Sequence, residues 1–317
     1  MICGGGLNPG SYVVREMMYG SGDTFDYDEC GVCGCLQLRE PPSDVSRYYP
    51  SDYYAFGAIE DGTLKEFLRY HWLRHALNGH DILGWVLGLK FGEPRIAGWI
   101  RQWAERANVT RATRILDVGC GTGQLCRDLR RAGFTGVAGI DPFVPRDIFY
   151  RGDLLVKRQE IDSVTEEYDF VMLNHSLEHM TEPLRTMDHI RRVLVRGGFA
   201  LIRIPVAGSY AWQTYSVDWV QLDAPRHIFV PTKRTMEVLT YRSGFRLASV
   251  VYDSDELQFW GSEQYRRGLP LLHPRSRRIA PSPGVFTGAQ MREFRAKAEI
   301  LNGKNEGDSA AFYLQKP

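Results

Sequence analysis

Arg114-Ile115-Leu116-Asp117-Val118-Gly119-Cys120-Gly121-Thr122-Gly123 is the stretch from which the rest of the chain is read. Ile115 to Val118 is a short apolar run of the kind that forms a buried strand. The glycines at 119, 121 and 123 let the backbone turn sharply and approach a ligand closely. A helix from Gln124 to about Arg131 is expected next, and then a second strand, Val137 to Ile140, which ends in Asp141. An acid at the end of that strand is placed to accept hydrogen bonds from ribose hydroxyls. It follows Gly123 by 18 residues, close to the ~20 such sites use. A nucleotide-like cofactor is therefore implied. A dinucleotide site would need a further glycine after two residues, but Gln124-Leu125-Cys126 follows here. Asp117, just before the loop, would repel a pyrophosphate yet suits a cationic amino-acid group.

Ile115 to Gly123 resembles motif I of the class I S-adenosylmethionine-dependent methyltransferases. Tyr168-Asp169-Phe170-Val171-Met172-Leu173 looks like the fourth strand of that fold, and Arg191 to Gly198 like the turn before its fifth, Phe199 to Ile204. Asn174-His175-Ser176-Leu177-Glu178-His179, Pro225-Arg226-His227-Ile228-Phe229, Ser243-Gly244-Phe245 and Asn302 to Leu314 are similar to segments of one bacterial branch. The resemblance covers about residues 110–317. It implies an α/β, Rossmann-like seven-stranded sheet with the last strand antiparallel. It also implies S-adenosylmethionine as cofactor. Asp117, Gly119, Cys120, Gly121 and Gly123 would line the methionine end, Asp141 would hold the ribose, and Pro142 and Phe143 would pack by the adenine. Asp162 or Ser163 would meet the adenine amine, and Asn174 would face the sulfonium.

His175-x-x-Glu178-His179 places three side chains on one helical face. As H-x-x-E-H it matches an inverted zinc-peptidase signature, but that motif needs a helix and a further acidic ligand, and here it abuts a sheet strand. The ubiquinone-type and small-RNA methyltransferases have a similar Glu-x-x-Glu-His that binds a divalent metal beside the acceptor hydroxyl. This chain has His175 in place of the first Glu. His227 could add a ligand from the loop after the fifth strand. A metal site, metal-free acid/base work by His175 or His227, and a structural role for Glu178 and His179 all remain open. His175, Glu178, His179 and His227 are the catalytic candidates.

Four of the six cysteines, Cys3, Cys30, Cys33 and Cys35, fall near the N-terminus. Cys30-Gly31-Val32-Cys33 is a C-x-x-C knuckle, with Gly34 to suit its turn. Zinc wants four tetrahedral ligands, usually from two such pairs, and the partner of Cys3 would fall before Met1. Either that cysteine precedes the chain, or Cys35 or a water completes the set, or the site is dead. Branch members often carry a small zinc ribbon, so a structural zinc is expected at these cysteines. The aromatic run Tyr48 to Tyr54 closes the module. Residues 63–106 read as mostly helical, with Ile96, Trp99, Ile100 and Trp103 as one apolar stripe. His71 and His75 lie at i, i+4, weak evidence for a metal. Three parts are expected: a zinc-ribbon-like module over 1–55, a helical linker or lid over 56–109, and the methyltransferase domain over 110–317.

The 317 residues carry 39 Lys+Arg against 38 Asp+Glu, a formal charge of +1. That balance argues against a dedicated nucleic-acid binder. Residues 1–50 hold three Arg and seven acids, whereas 261–317 hold ten Lys or Arg and five acids. The basic end, with Arg266, Arg267, Arg275, Arg277 and Arg278, reads as a solvated loop or as a lip for an anionic substrate. No apolar run reaches 18 residues, so no membrane span is expected. No leader pattern is seen, and sparse cysteines suit the cytoplasm. The expected function is methyl transfer to a small-molecule acceptor such as a sugar, glycan or secondary metabolite, at oxygen or carbon. The alternatives are an RNA or protein methyltransferase that uses the ribbon for recognition, and a non-catalytic partner of the same fold. Tyr210, Trp212, Tyr215 and Trp219 are either a substrate-covering lid or the packed core of an inserted helix.

Overall fold

The computed structural model describes residues 2–49, 63–281 and 284–317. Its elements in chain order are β1 (Leu7–Arg15), β2 (Thr24–Cys30), β3 (Leu36–Leu38), α1 (Leu64–Asn78), α2 (Ile82–Phe91) and α3 (Arg95–Ala107). Then come β4 (Ile115–Val118), α4 (Gln124–Arg131), β5 (Val137–Ile140), β6 (Ile148–Tyr150), β7 (Asp153–Lys157), β8 (Tyr168–Asn174), α5 (Pro183–Val193) and β9 (Leu194–Pro205). The chain closes with α6 (Tyr210–Tyr215), β10 (Phe229–Val230), α7 (Lys233–Arg242), β11 (Arg246–Tyr252), α8 (Leu257–Arg266), α9 (Gly288–Gly303) and β12 (Ser309–Gln315).

The larger sheet has the order β11-β12-β9-β8-β4-β5-β7-β6. Setting β6 aside leaves seven strands in the expected α/β arrangement. β4 is parallel to both β5 and β8. All four of its residues are buried, as a central parallel strand covered on both faces requires. The last strand runs antiparallel to β9. Gly197 donates to the Lys316 carbonyl, Lys316 to Gly198, and Val206 to Asp308, each at 2.9 Å. The eighth strand was not foreseen. β6 pairs antiparallel with β7 across Arg151 and Gly152, both at positive φ. Two such residues are what a tight hairpin turn demands, and an arginine in that role leaves no sequence signal.

Two compact units emerge, one of residues 1–50, 175–185 and 202–312, the other of 51–174, 186–201 and 313–317. The expected boundary at 55/56, and Pro50 to Tyr54 of the aromatic run, lie outside the described residues. In the second unit α3 buries Ile96, Ala97, Ile100 and Trp103, and the Trp103 ring lies 5.7 Å from that of Phe170 on β8. His71 is engaged by Asp81, 2.7 Å from its Nδ1, and neither it nor His75 joins a metal-ligand group among the described residues.

In the first unit β1, β2, β3 and β10 form a four-stranded antiparallel sheet. One core holds Val14, Tyr27, Leu36, Leu38, Tyr215, Trp219, Phe259 and Leu301. Trp219 is fully buried and its Nε1 donates to Asp308 at 2.9 Å. Tyr215 and Trp219 are therefore packed core, with Tyr210 and Trp212 half-buried against it, which favours the inserted-helix reading over the lid. Among the described residues no helix is long and apolar enough to cross a membrane.

Candidate functional site

Chain order reverses at β4, because the strand after it in sequence, β5, lies on one side and β8 on the other. In open α/β sheets ligands bind outside the carboxyl ends of strands at such a point. Gly119, Gly121 and Gly123 stand there with φ of 72°, 55° and 80°. A Cβ on Gly123 would come within 2.4 Å of Val156 Cγ2, so both backbone and space reserve that position for glycine. Cys120 is partly buried, its thiol directed at the Gly121 carbonyl at 3.5 Å.

The Asp141 carboxylate accepts the Gly121 amide on Oδ2 and the Phe143 amide on Oδ1, both at 2.9 Å. Each oxygen keeps a second lone pair, the acceptor pair that two ribose hydroxyls require. Pro142 lies between, and the Phe143 ring is 78% exposed, a bare aromatic face beside the loop. Asp117 is buried, and among the described residues its side chain has only long contacts, from Asn174 Nδ2 (3.5 Å) and the Cys126 thiol (3.8 Å). Burial pushes its carboxyl up to about 7, against the two hydrogen bonds that lower it. A buried acid so poorly paired suits a cationic ligand group. Asp162 and Ser163 are exposed in a 3-10 turn and bond each other at 2.8 Å. Arg192, which sequence reasoning passed over, pins that turn from the end of α5. Its Nη2 donates to the carbonyls of Ile161 (3.2 Å), Asp162 (2.7 Å) and Val164 (3.1 Å). These residues fit S-adenosylmethionine.

The histidine cluster is built within the other unit. His175 has φ 52°, and its amide donates to Arg203 O at 2.9 Å. Glu178 is wholly buried, yet neither carboxylate oxygen has a hydrogen-bond partner among the described residues. His175 Nδ1 is 3.4 Å and His227 Nε2 3.9 Å from Oε1. Burial raises the Glu178 carboxyl, but the surrounding imidazoles outweigh it and the net direction is downward. His179 Nδ1 lies 2.8 Å from Arg226 O, and His227 Nδ1 2.8 Å from Gln221 O. A carbonyl only accepts, so both rings carry the proton on Nδ1 and a lone pair on Nε2. Burial, and then His179, push His227 down to about 4, leaving it neutral near pH 7. Ligand atoms of Glu178, His179 and His227 all lie within 4.8 Å of one another. Imidazoles that give their second nitrogen to carbonyls are the usual metal-binding arrangement, so the donor set fits a divalent cation. His175 stands outside this three-ligand group.

Two further residues hold the cluster. Arg226, fully buried, is gripped by both oxygens of Asp223 and by Glu16 Oε1 at 2.9 Å. Glu16 also accepts four amides, from Met18 to Ser21. Only the spacing Asp223-x-x-Arg226 hinted at the first pair, and nothing in sequence linked Glu16 to it.

Cys3, Cys30 and Cys33 form a second three-ligand group, with Cys3 and Cys30 sulfurs 3.3 Å apart. Gly34, at φ 71°, donates to the Cys30 carbonyl at 2.8 Å and closes the knuckle. Burial raises the Cys30 thiol, but nearby amides and thiols bring it down to about 7. The three thiols fit zinc. Cys35 is not among them. Its thiol turns to the Leu36 carbonyl at 3.6 Å, and burial raises its pKa.

The model of the methyltransferase domain family matches residues 90–250. The chain belongs to this family. It has the fold of the class I S-adenosylmethionine-dependent methyltransferases, with an N-terminal cysteine module resembling a zinc-binding one. It is 30% identical over 143 residues to the ubiquinone/menaquinone biosynthesis C-methyltransferase UbiE of Bordetella avium, covering 38% of this chain and 56% of that protein. It is 31% identical over 150 residues to the tRNA U34 carboxymethyltransferase of Marinobacter nauticus, covering 43% and 45%. A second tRNA U34 carboxymethyltransferase, from Alcanivorax borkumensis, is 29% identical over 127 residues, covering 34% and 38%. The chain thus spans about half the length of these curated relatives. Similar solved structures include a sarcosine dimethylglycine methyltransferase of Galdieria sulphuraria (TM-score 0.47, 15% identity, 85% of this chain and 97% of that one). Another is a methyltransferase of Archaeoglobus fulgidus (TM-score 0.44, 18% identity, 73% and 99%). The tRNA-modifying relatives correct the expectation drawn from net charge against a nucleic-acid partner. Net charge averages over the whole chain, whereas contact with phosphates depends on local basic residues.

Proposed function

We propose that this methyltransferase delivers the methyl group to a hydroxyl oxygen of its acceptor. The observation that carries this reading is Glu178, a wholly buried carboxylate with His175 Nδ1 3.4 Å from Oε1, beside two imidazole lone pairs. In-line displacement at a sulfonium methyl needs little covalent help. It needs aligned reactants and a place for the acceptor's proton. S-adenosylmethionine supplies the electrophilic methyl group. Asp117, Asn174 and the glycine loop bind and orient its amino-acid end, and Asp141 and Phe143 its nucleoside. His227, neutral near pH 7, takes the hydroxyl proton on Nε2, while the Gln221 carbonyl fixes the ring. Glu178 stabilises the resulting positive charge. A divalent cation held by Glu178 and the Nε2 lone pairs of His179 and His227 would occupy that base and take its place by lowering the hydroxyl pKa.

A second reading concerns the molecule that bears the hydroxyl. Two of the three named relatives act on tRNA, which favours an RNA nucleoside over a free metabolite. The test is transfer of radiolabelled methyl to bulk tRNA and to a panel of hydroxylated small molecules. Label in an O-methyl product supports the proposal, and its appearance in digested nucleosides supports the RNA form. Label fixed to carbon, or no binding of S-adenosylhomocysteine, overturns it.

A further inference from the structure

The cysteine-bearing strands and the histidine cluster share one unit, and bonds of several kinds join them. Tyr27 on β2 is fully buried, and its hydroxyl donates to the main-chain carbonyl of His227 at 2.6 Å. β3 pairs with β10, Phe229 opposite Gln37 and Val230 opposite Leu36. Leu38 donates to the Ile228 carbonyl, and Ile228 to the Glu178 carbonyl, each at 2.8 Å. Thr232, which caps α7, donates to the carbonyl of Cys33 at 2.6 Å. The Tyr49 hydroxyl lies 3.2 Å from His179 Nδ1. The main-chain carbonyls of His227 and Ile228, and the β10 strand that follows, are thus bonded to the segment that carries Cys30 and Cys33.

We propose that the N-terminal cysteine module is a positioning element for the acceptor cluster, and that Tyr27 is its contact with His227. Occupancy of the thiols then sets where the imidazoles stand. C-x-x-C knuckles are held in shape by their metal, and without it β2 and β3 lose the constraint that fixes the Tyr27 hydroxyl and the β3 edge. The inference rests on reading Glu178, His179 and His227 as the acceptor site. The coupling can be measured without any acceptor, so its failure is separable from failure of that reading.

The experiment uses the full chain and follows amide exchange by peptide, together with the imidazole nitrogen NMR signals of His179 and His227 at one fixed pH. Three samples under the same zinc concentration are compared: the parent, Cys33→Ser, which opens the thiol site and leaves the histidine cluster untouched, and Tyr27→Phe. Cys33→Ser is expected to speed exchange in 226–232 about tenfold, the order of one buried hydrogen bond lost, and to move both imidazole signals. Tyr27→Phe should move the His227 signal with zinc still bound, while exchange in 115–131 stays as it was. Unchanged imidazole signals in Cys33→Ser, or equal loosening of 226–232 and 115–131, would overturn the proposal. So would a Tyr27→Phe protein whose His227 signal matches the parent.

Discussion

Nε2 of His227 faces Oε1 of Glu178 at 3.9 Å, too far for a hydrogen bond, while Nδ1 of the same ring is committed to Gln221 O at 2.8 Å. A buried acid and a buried base thus face each other without a direct bond. The surrounding imidazoles favour the charged form of Glu178 over the cost of its burial, so that charge contributes to folding. Glu178→Gln removes it at nearly constant volume. It should lower the thermal midpoint by about 1–2 °C, the shift expected from ~1 kcal/mol in a chain of this size, while turnover falls at least ~100-fold. A lowered midpoint with intact turnover would make Glu178 a structural acid.

The neutral state of His227 has a consequence for acid stability. Its folded pKa of about 4 lies below the ordinary ~6.5, so between those values the unfolded chain binds more protons. The stabilisation is therefore fully present above about pH 6.5 and is lost as pH falls toward 4, amounting to at most ~3 kcal/mol. Urea unfolding across that range should show the slope, and His227→Gln should flatten it. The same slope in both proteins would place the titration elsewhere.

The cofactor end of the molecule was largely legible, because strand–glycine loop–helix is local. Asp117, Gly119, Gly121, Gly123 and Asp141 sit within one β-α-β unit, where spacing alone fixes the geometry. The acceptor cluster was legible only as residue types. His179 and His227 lie 48 positions apart, and what sets their tautomers, Arg226 O and Gln221 O, is main chain, which sequence does not display. Tyr27 and Glu16 were invisible for a related reason: each acts some 200 residues from its partner. Cys35 misled because spacing counts thiols and not the direction they point.

Asp117 makes cofactor binding sensitive to pH. With its carboxyl near 7, about half the molecules carry it protonated at neutral pH. If the charged form holds the cofactor's ammonium group, S-adenosylhomocysteine should bind roughly tenfold more tightly at pH 8 than at pH 6. Calorimetry on the parent and on Asp117→Asn decides this. The variant should bind weakly with no such trend, and a trend that survives the substitution assigns it to another group.

Gly123 tests whether the loop tolerates any side chain. Alanine there meets Val156 Cγ2 at 2.4 Å and must hold φ 80°. Both penalties act together, so Gly123→Ala should destabilise by ~2 kcal/mol or more. Pairing it with Val156→Ala should recover the steric share but not the backbone share. Full recovery in the double variant would show that φ carries no cost there.

Arg192 offers the sharpest test of the adenine side. One guanidinium nitrogen serves three carbonyls of the turn that presents Asp162 and Ser163, so removing it frees the turn without touching either side chain. Arg192→Ala should weaken S-adenosylhomocysteine about tenfold, and Arg192→Lys, with one point charge in place of the fork, should fall between. The informative readout is discrimination. If the turn reads the adenine amine, the parent prefers S-adenosylhomocysteine to its inosine analogue, and Arg192→Ala loses much of that ratio. Equal weakening for both ligands would mean that Arg192 supports the fold and that the adenine amine is read by other residues.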